Sequence, residues 1–375
     1  MTAPLPVPPL PTEWLPPGVR ARFAPGVNGL DMHYLEAGFE TPGRKLVLLL
    51  HGFPELAYSW RHVLPALAAA GYHAVAPDQR GYGRTTGWDG AYDGDLSQFR
   101  LLNLARDALG LVRALGYRQA EAVVGHDFGS PVAAWCALVR PDVFRRVALM
   151  SAPFTGPPPL AAAEAGENIH AALAALNPPR QHYQWYFSER RANAEMHHPP
   201  QGLHAFLRGY YHMKSGDWPG NRPFPLAGWT AAELAKLPRY YIMDLGQTMP
   251  QMVELPSPGE IAACRWLPDA GLAVYAGEYA RTGFQGGLNW YRCRTQGGHE
   301  RELALFAGRT IDVPSLFIAG ARDWGIQQVP GALARMQSGA CTQMIGCDLI
   351  DGAGHWVQQE RPVEVVAALL RLLAQ

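Results

Sequence analysis

The stretch that most constrains this chain is Ala122-Val123-Val124-Gly125-His126-Asp127-Phe128-Gly129-Ser130, an apolar run closed by Gly-x-Asp-x-Gly. An alanine-rich helical pattern follows from Pro131 to Val139. This spacing predicts a buried strand, a sharp turn and a helix, with Asp127 at the apex. Gly125 and Gly129 stand where strand and helix backbones approach too closely for a side chain. The spacing is that of a nucleophile elbow, whose better-known form carries Ser at the centre. Asp changes the chemistry. A carboxylate attacking saturated carbon makes an ester that water can later hydrolyse, whereas a serine alkoxide would make an inert ether. Asp127 therefore suggests alkyl transfer from an epoxide or a halide rather than acyl transfer. By itself the five-residue pattern also fits an Asp that caps a helix in an ordinary turn, so the rest of the chain must decide.

The flanking sequence supplies a frame. Arg20–Ala24 and Leu30–Leu35 flank Pro25-Gly26-Val27-Asn28-Gly29 and predict a hairpin. Strands are expected at 45–50, 73–76 and 147–151, and helices at 60–70 and 101–115. Strands alternating with helices imply a mostly parallel sheet flanked by helices. The alternation stops at Pro153 and resumes near Val313, with strands at 313–319 and 342–350 and helices at 329–336 and 362–373. Between them lies a segment rich in aromatics, His and Pro with no convincing strand. The reading is one α/β core, 1–152 and 305–375, interrupted by a mainly helical cap at 153–304. Residues 1–18 form an extended Pro-rich arm.

Composition removes several function classes. Formal net charge is zero with no block of like charge, so nothing points to nucleic acid or acidic membranes. The longest aliphatic run, Leu46-Val47-Leu48-Leu49-Leu50, is far too short to span a bilayer. No signal peptide is visible, and five cysteines form neither a CxxC nor an even framework, so a cytoplasmic protein with reduced thiols is expected. Gly81-Tyr82-Gly83 lacks the third glycine of a dinucleotide loop. His197-His198 and His204 come without companion ligands, so no metal and no organic cofactor is expected. A homodimer is compatible with the sequence but not specified by it.

Two further groups follow predicted strands. Asp323 stands in Gly320-Ala321-Arg322-Asp323-Trp324-Gly325 and His355 in Asp351-Gly352-Ala353-Gly354-His355-Trp356. Catalytic groups in open parallel sheets gather at the carboxyl ends of strands. The chain order nucleophile, acid, histidine fits a triad of Asp127, Asp323 and His355. Asp351 is the alternative acid, only four residues from His355. His51-Gly52-Phe53-Pro54 ends an earlier strand, where the amides of Phe53 and Phe128 would form an oxyanion hole, each worth about 3 kcal/mol of barrier.

Together the elbow, His51-Gly52-Phe53-Pro54-Glu55, Asp323-Trp324-Gly325 and Gly354-His355-Trp356 resemble the soluble epoxide hydrolases of the α/β-hydrolase superfamily, from about residue 20 onward. The elbow and the histidine segment are shared with dehalogenases, so the cap discriminates. The family carries two cap tyrosines that hold the epoxide oxygen. The matching segments are His182-Tyr183-Gln184-Trp185-Tyr186-Phe187 and Leu288-Asn289-Trp290-Tyr291-Arg292. They imply Tyr183 and Tyr291 as donors, with Tyr186 as an alternative to Tyr183. A phenol with an ordinary pKa of about 10 can donate to a developing alkoxide while staying protonated at rest.

The resemblance implies an α/β-hydrolase fold and conversion of a small apolar epoxide and water to a vicinal diol. The pocket residues expected are His51, Pro54, Trp185 and Trp356. Many relatives carry Trp after the nucleophile where this chain has Phe128, which alters the pocket wall. A haloalkane or haloacid dehalogenase with the same nucleophile is the alternative, although Phe128 offers neither an indole N–H nor a guanidinium. A non-catalytic binding protein on the same fold is the remaining reading.

Overall fold

The computed structural model describes residues 7–160, 168–299 and 301–375. The strands are β1 (Val19–Val27), β2 (Leu30–Ala37), β3 (Lys45–Leu50), β4 (Tyr72–Pro77), β5 (Ala122–His126), β6 (Val147–Met150), β7 (Arg180–His182), β8 (Ile242–Asp244), β9 (Ser315–Gly320) and β10 (Met344–Ile350). Eight of them build one sheet in the order β1-β2-β4-β3-β5-β6-β9-β10. The hairpin β1/β2 and the β2/β4 pair are antiparallel, and every other neighbour is parallel. The central strands are continuous apolar runs because both of their faces are covered. Leu46 to Leu50, Val147 to Met150 and Leu316 to Ala319 are all buried. Two helix pairs flank the sheet, Val63–Ala69 with Pro362–Leu373 and Leu101–Ala114 with Gly129–Val139. In Pro362–Leu373, Val365, Ala368, Leu369 and Leu372 form the inward stripe.

The order of strands fixes where chemistry gathers. The chain passes from β3 outward to β4, then returns across β3 to place β5 on its other side. Between β3 and β5 the winding reverses, and a crevice opens outside the carboxyl ends of those strands. The residues after β3 are His51-Gly52-Phe53, and the residue after β5 is Asp127.

Residues 151–314 leave the sheet after β6 and return at β9. Its regular structure is mainly helical, but β7 and β8 pair antiparallel, His182 opposite Ile242, as a ribbon that the sequence did not predict. Three-residue strands carry too little alternation to be read. Two expected helices are shorter than their apolar patterns. A 3₁₀ turn, Ala57–Trp60, precedes the helix Val63–Ala69, because Pro65 fits only a first helical turn. Gly331, with φ 73°, delays the 329–336 helix to Ala332–Arg335, and a π-type turn, Met336–Ala340, follows. Of the N-terminal arm, residues 1–6 lie outside the described residues; Thr12–Trp14 form a 3₁₀ turn and Leu10 is buried.

The insertion is docked through buried bonds. Arg84 pairs with Glu278 at 2.6 Å, the Trp290 indole donates to the Arg80 carbonyl at 2.9 Å, and the Tyr211 hydroxyl donates to the Pro54 carbonyl at 2.9 Å. A Cβ on Gly81 would meet the Gly286 backbone at 2.7 Å, so the Gly-Tyr-Gly motif is a contact between core and insertion.

Candidate active site

The elbow forms as its glycines demand. A Cβ on Gly125 would collide with the Gly129 carbonyl, and one on Gly129 with the carbonyls of Leu50 and His51. Asp127 sits between them at φ 51°, a left-handed conformation that costs a non-glycine residue about 1 kcal/mol or more. The strain turns its carboxylate out of β5 and over the end of β3. There the Phe53 amide donates to Asp127 Oδ1 at 2.9 Å. Gly52 makes room, since a Cβ there would strike the same carboxylate. Phe128 occupies the N-cap position of the elbow helix, and its amide is the next N–H along the chain.

Asp323 follows β9 and His355 follows β10, so both reach the same crevice from the side of β6. His355 Nδ1 lies 3.1 Å from each Asp323 oxygen, and Nε2 lies 3.2 Å from Asp127 Oδ2. The Nε2 approach is not aligned for a hydrogen bond, so this nitrogen stays available. Burial and the Lys214 ammonium favour a neutral ring. The Asp323 and Asp127 carboxylates outweigh them and raise the His355 pKa to about 9. Burial alone would raise the Asp127 and Asp323 carboxyls. Asp127 is instead held well below the usual range by the adjacent His355 imidazole, and Asp323 is lowered by the same ring. These shifts favour two carboxylates and an imidazolium at rest. Asp351, the alternative acid, is exposed.

Asp127 opens into a cavity of about 440 Å³ whose walls include Phe128, Trp135, Phe154, Tyr183 and Tyr291. Tyr291 comes from the helix Gln285–Thr295, anchored by the Trp290 bond to the core, and its ring packs edge-on against Phe53 and Phe128. Tyr183 begins the helix Tyr183–Phe187 directly after β7. The His182 ring caps that helix, and the Tyr183 amide donates to the Tyr241 carbonyl at 2.9 Å. The two rings stand 5.8 Å apart, centroid to centroid. Burial pushes both phenols above their ordinary pKa, reinforced at Tyr183 by the Asp127 charge and at Tyr291 by Tyr183 and then Asp127, so each keeps its proton. The Gln184 amide donates to Tyr183 Oη at 3.2 Å. Tyr186 faces elsewhere and donates to Glu195 at 2.9 Å.

The four expected pocket residues do not line this cavity. His51 is spent structurally: Nδ1 bonds the Gly52 carbonyl at 2.9 Å and Nε2 accepts from the Gln79 amide at 3.1 Å. Pro54 turns its carbonyl to Tyr211, and Trp185 packs on His170 and His182. Trp356 is buried behind His355, its indole donating to the Tyr211 carbonyl at 2.8 Å. These positions adjoin the motifs in sequence, but alternate residues around a turn point to opposite sides.

Sequence reading also passed over a buried pair behind the triad. His126 Nδ1 lies 2.6 Å from Glu55 Oε2, and its Nε2 lies 2.7 Å from the His355 carbonyl. Glu55 accepts further bonds from Gln358 and Gln359. The available signal was the Glu ending His-Gly-Phe-Pro-Glu beside a His in the elbow. Among the described residues no group of three His, Cys, Asp or Glu side chains is arranged to hold a metal, and no helix is long and apolar enough to cross a membrane.

Residues 45–223 match the alpha/beta hydrolase fold family. The chain is 39% identical to epoxide hydrolase A of Mycobacterium tuberculosis, over 92% of this chain and 95% of that one. It is 34% identical to epoxide hydrolase B of the same organism, over 88% and 91% respectively. A solved structure of an epoxide hydrolase from an endophytic Streptomyces superposes with a TM-score of 0.77 at 35% identity, covering 96% of each chain.

Proposed function

The chain belongs to the epoxide hydrolases of the α/β-hydrolase fold, and from that premise we propose how its residues turn an epoxide and water into a vicinal diol. Asp127 attacks a ring carbon through Oδ2. The carbon–oxygen ring bond breaks, and Tyr183 and Tyr291 hold the leaving oxygen and supply its proton. Oδ1, bonded to the Phe53 amide, becomes the ester carbonyl oxygen, with the Phe128 amide as its second donor. Loss of the Asp127 charge lowers the proton affinity of His355, whose resting proton returns to the tyrosinate left by ring opening; the neutral imidazole then takes a proton from water through Nε2. The resulting hydroxide adds to the ester carbonyl, the acyl–oxygen bond breaks, and the diol leaves. Asp323 keeps the ring oriented and stabilises the imidazolium that forms.

The observation that carries this reading is the pair of neutral phenols across one cavity from a strained, ionised Asp127. Two O–H donors suit a basic alkoxide, which needs a proton, better than a departing halide, which does not. The Trp290 indole, which packs on Phe128, is already committed to the Arg80 carbonyl. The aromatic wall favours an apolar, aryl-bearing epoxide. Five free cysteines fit a reducing cytoplasm.

The test is one turnover of styrene oxide by excess enzyme in ¹⁸O-water. The ester route puts the label into Asp127 and leaves the first diol unlabelled; a labelled first diol would mean direct attack by water. His355→Gln should trap the ester, visible as an intact-mass increase equal to the epoxide. Halide release from haloalkanes without diol formation from the epoxide would return the two tyrosines to a packing role.

A further inference from the structure

The chain contains three lysines. Lys45 and Lys236 have exposed side chains paired with Glu121 and Glu233. Lys214 differs on both counts. It ends the cap helix Leu203–Lys214, is only 3% exposed, and has neither an ion-pair nor a hydrogen-bond partner among the described residues. Its ammonium lies over three aromatic faces instead, 5.0 Å from the Tyr241 centroid, 5.3 Å from Tyr210 and 5.4 Å from Trp356. An aromatic cage holds a compact cation through ring quadrupoles without neutralising its charge. The carbonyls ending its helix favour a cation in the same place.

The cage is built from neighbours of the catalytic groups. Trp356 follows His355 in the chain, with ring centroids 4.7 Å apart, and Tyr241 packs against Tyr183 at 5.3 Å. The Lys214 carbonyl accepts the His355 amide at 2.8 Å, so lysine and histidine are locked together by the backbone. Asn221 fixes the helix end by donating to the Met213 and Ser215 carbonyls. A surface ion pair would have satisfied the charge. A cage leaves its field directed at Asp127, Asp323 and His355.

We propose that the caged Lys214 ammonium is a fixed positive charge that keeps His355 in its neutral, basic form while the Asp127 ester is hydrolysed. This rests on the ester route above and makes Lys214 a positioning residue for the second step. At rest, Asp127 and Asp323 carry two negative charges against His355 and Lys214. Alkylation removes the Asp127 charge. With Lys214 present, neutral His355 leaves Asp323 balanced; without it, the uncompensated Asp323 holds the proton on the imidazole. The other titratable groups around His355 and Lys214 are His126 with its partner Glu55, Tyr210, Tyr241 and Glu360. Glu360 accepts the amides of Gly354, Trp356 and Gly216. His126 is matched by the Glu55 carboxylate at 2.6 Å, which leaves Lys214 as the cation of this set without a carboxylate partner among the described residues. Burial lowers the pKa of Lys214, while Asp127, Asp323 and Glu55 work to keep it protonated.

The experiment is stopped-flow fluorescence on styrene oxide from pH 6 to 10, separating ester formation from ester decay, for the unmodified enzyme and Lys214→Met. Methionine fills the cage without charge. The pH midpoint of ester decay should rise by about one unit, slowing decay roughly tenfold below it and leaving the alkaline plateau unchanged. An unchanged midpoint overturns the proposal. If the variant does not fold, ¹⁵N–¹³C spectra of the unmodified protein decide, since three lysines give separable signals. Lys214 charged through the assay range supports the proposal, and Lys214 neutral at pH 7 overturns it. Absence of any trapped ester in His355→Gln would instead defeat the ester route itself.

Discussion

Removing the two phenol hydroxyls one at a time tests the oxygen-holding site, and the structure predicts unequal losses. On the proposed route each donates to an oxygen that becomes charged as the ring opens, in a pocket walled by Phe128, Trp135 and Phe154. A hydrogen bond to a charged group contributes about 1.5–3 kcal/mol, equivalent to a 10- to 150-fold effect. The polar neighbour of Tyr291 is Tyr183, the other phenol, rather than a side-chain amide poised to replace its hydroxyl, and its ring is held by Phe53 and Phe128. Tyr183 does have one: the Gln184 amide reaches Tyr183 Oη at 3.2 Å and would point into the space that Phe leaves. Tyr291→Phe should therefore slow ester formation about 50-fold, and Tyr183→Phe about tenfold. Tyr183→Phe with Gln184→Leu should match Tyr291→Phe. Rapid-mixing measurement of ester formation separates this step from hydrolysis, which the substitutions should leave within about threefold. Single Tyr→Phe variants that form ester at the unmodified rate would refute the role of the phenols. Equal losses would refute the compensation by Gln184.

Two further predictions concern the triad and the elbow. His355 binds its proton with a pKa of about 9 in the fold against 6.5 ordinarily. The stability it contributes is complete below pH 6.5 and lost as pH rises through about 9. The difference in Tm between the unmodified protein and His355→Gln should shrink across that window, and a difference independent of pH would show that the imidazole is neutral at rest. Gly125→Ala drives a methyl into the Gly129 backbone and to 2.8 Å from the Ala133 methyl. It should cost about 2–3 kcal/mol in urea unfolding and suppress ester formation; a loss below about 0.5 kcal/mol would mean that the elbow has room the glycines do not require.

The core was legible in the sequence because its signals are local. β3 spans Lys45–Leu50 and the final helix Pro362–Leu373, the limits read from an apolar run and from a proline start. Glycine punctuation located the elbow, since two backbones meet there whatever surrounds them. In the cap, identity came from short motifs rather than periodicity. The ribbon β7/β8 joins residues about sixty positions apart with three residues a side, and alternation that short is indistinguishable from loop. The expected pocket residues failed for a related reason. Adjacency to a motif says nothing about which face of a turn a side chain takes, and His51 and Trp356 take the face turned away from the cavity.

The residues that tune the site were hidden because their partners are remote in sequence. Glu55 meets Gln358 across 303 positions, and His126 meets the His355 carbonyl across 229. The physical reason for such pairs is the burial that the reaction demands. A dry cavity makes phenol donors strong and keeps water from competing, but it also makes every unbalanced charge near Asp127 costly. On the proposed ester route the enzyme passes through a state in which Asp127 is neutral and Asp323 is not. It can do so only if the surroundings already hold compensating groups that do not themselves react. His126 is occupied at both nitrogens and Lys214 is caged by aromatic rings, so neither competes with His355 for the water proton. Short motifs can therefore display the reacting groups of such a site, while the groups that let it change charge are apparent only after the chain has folded around them.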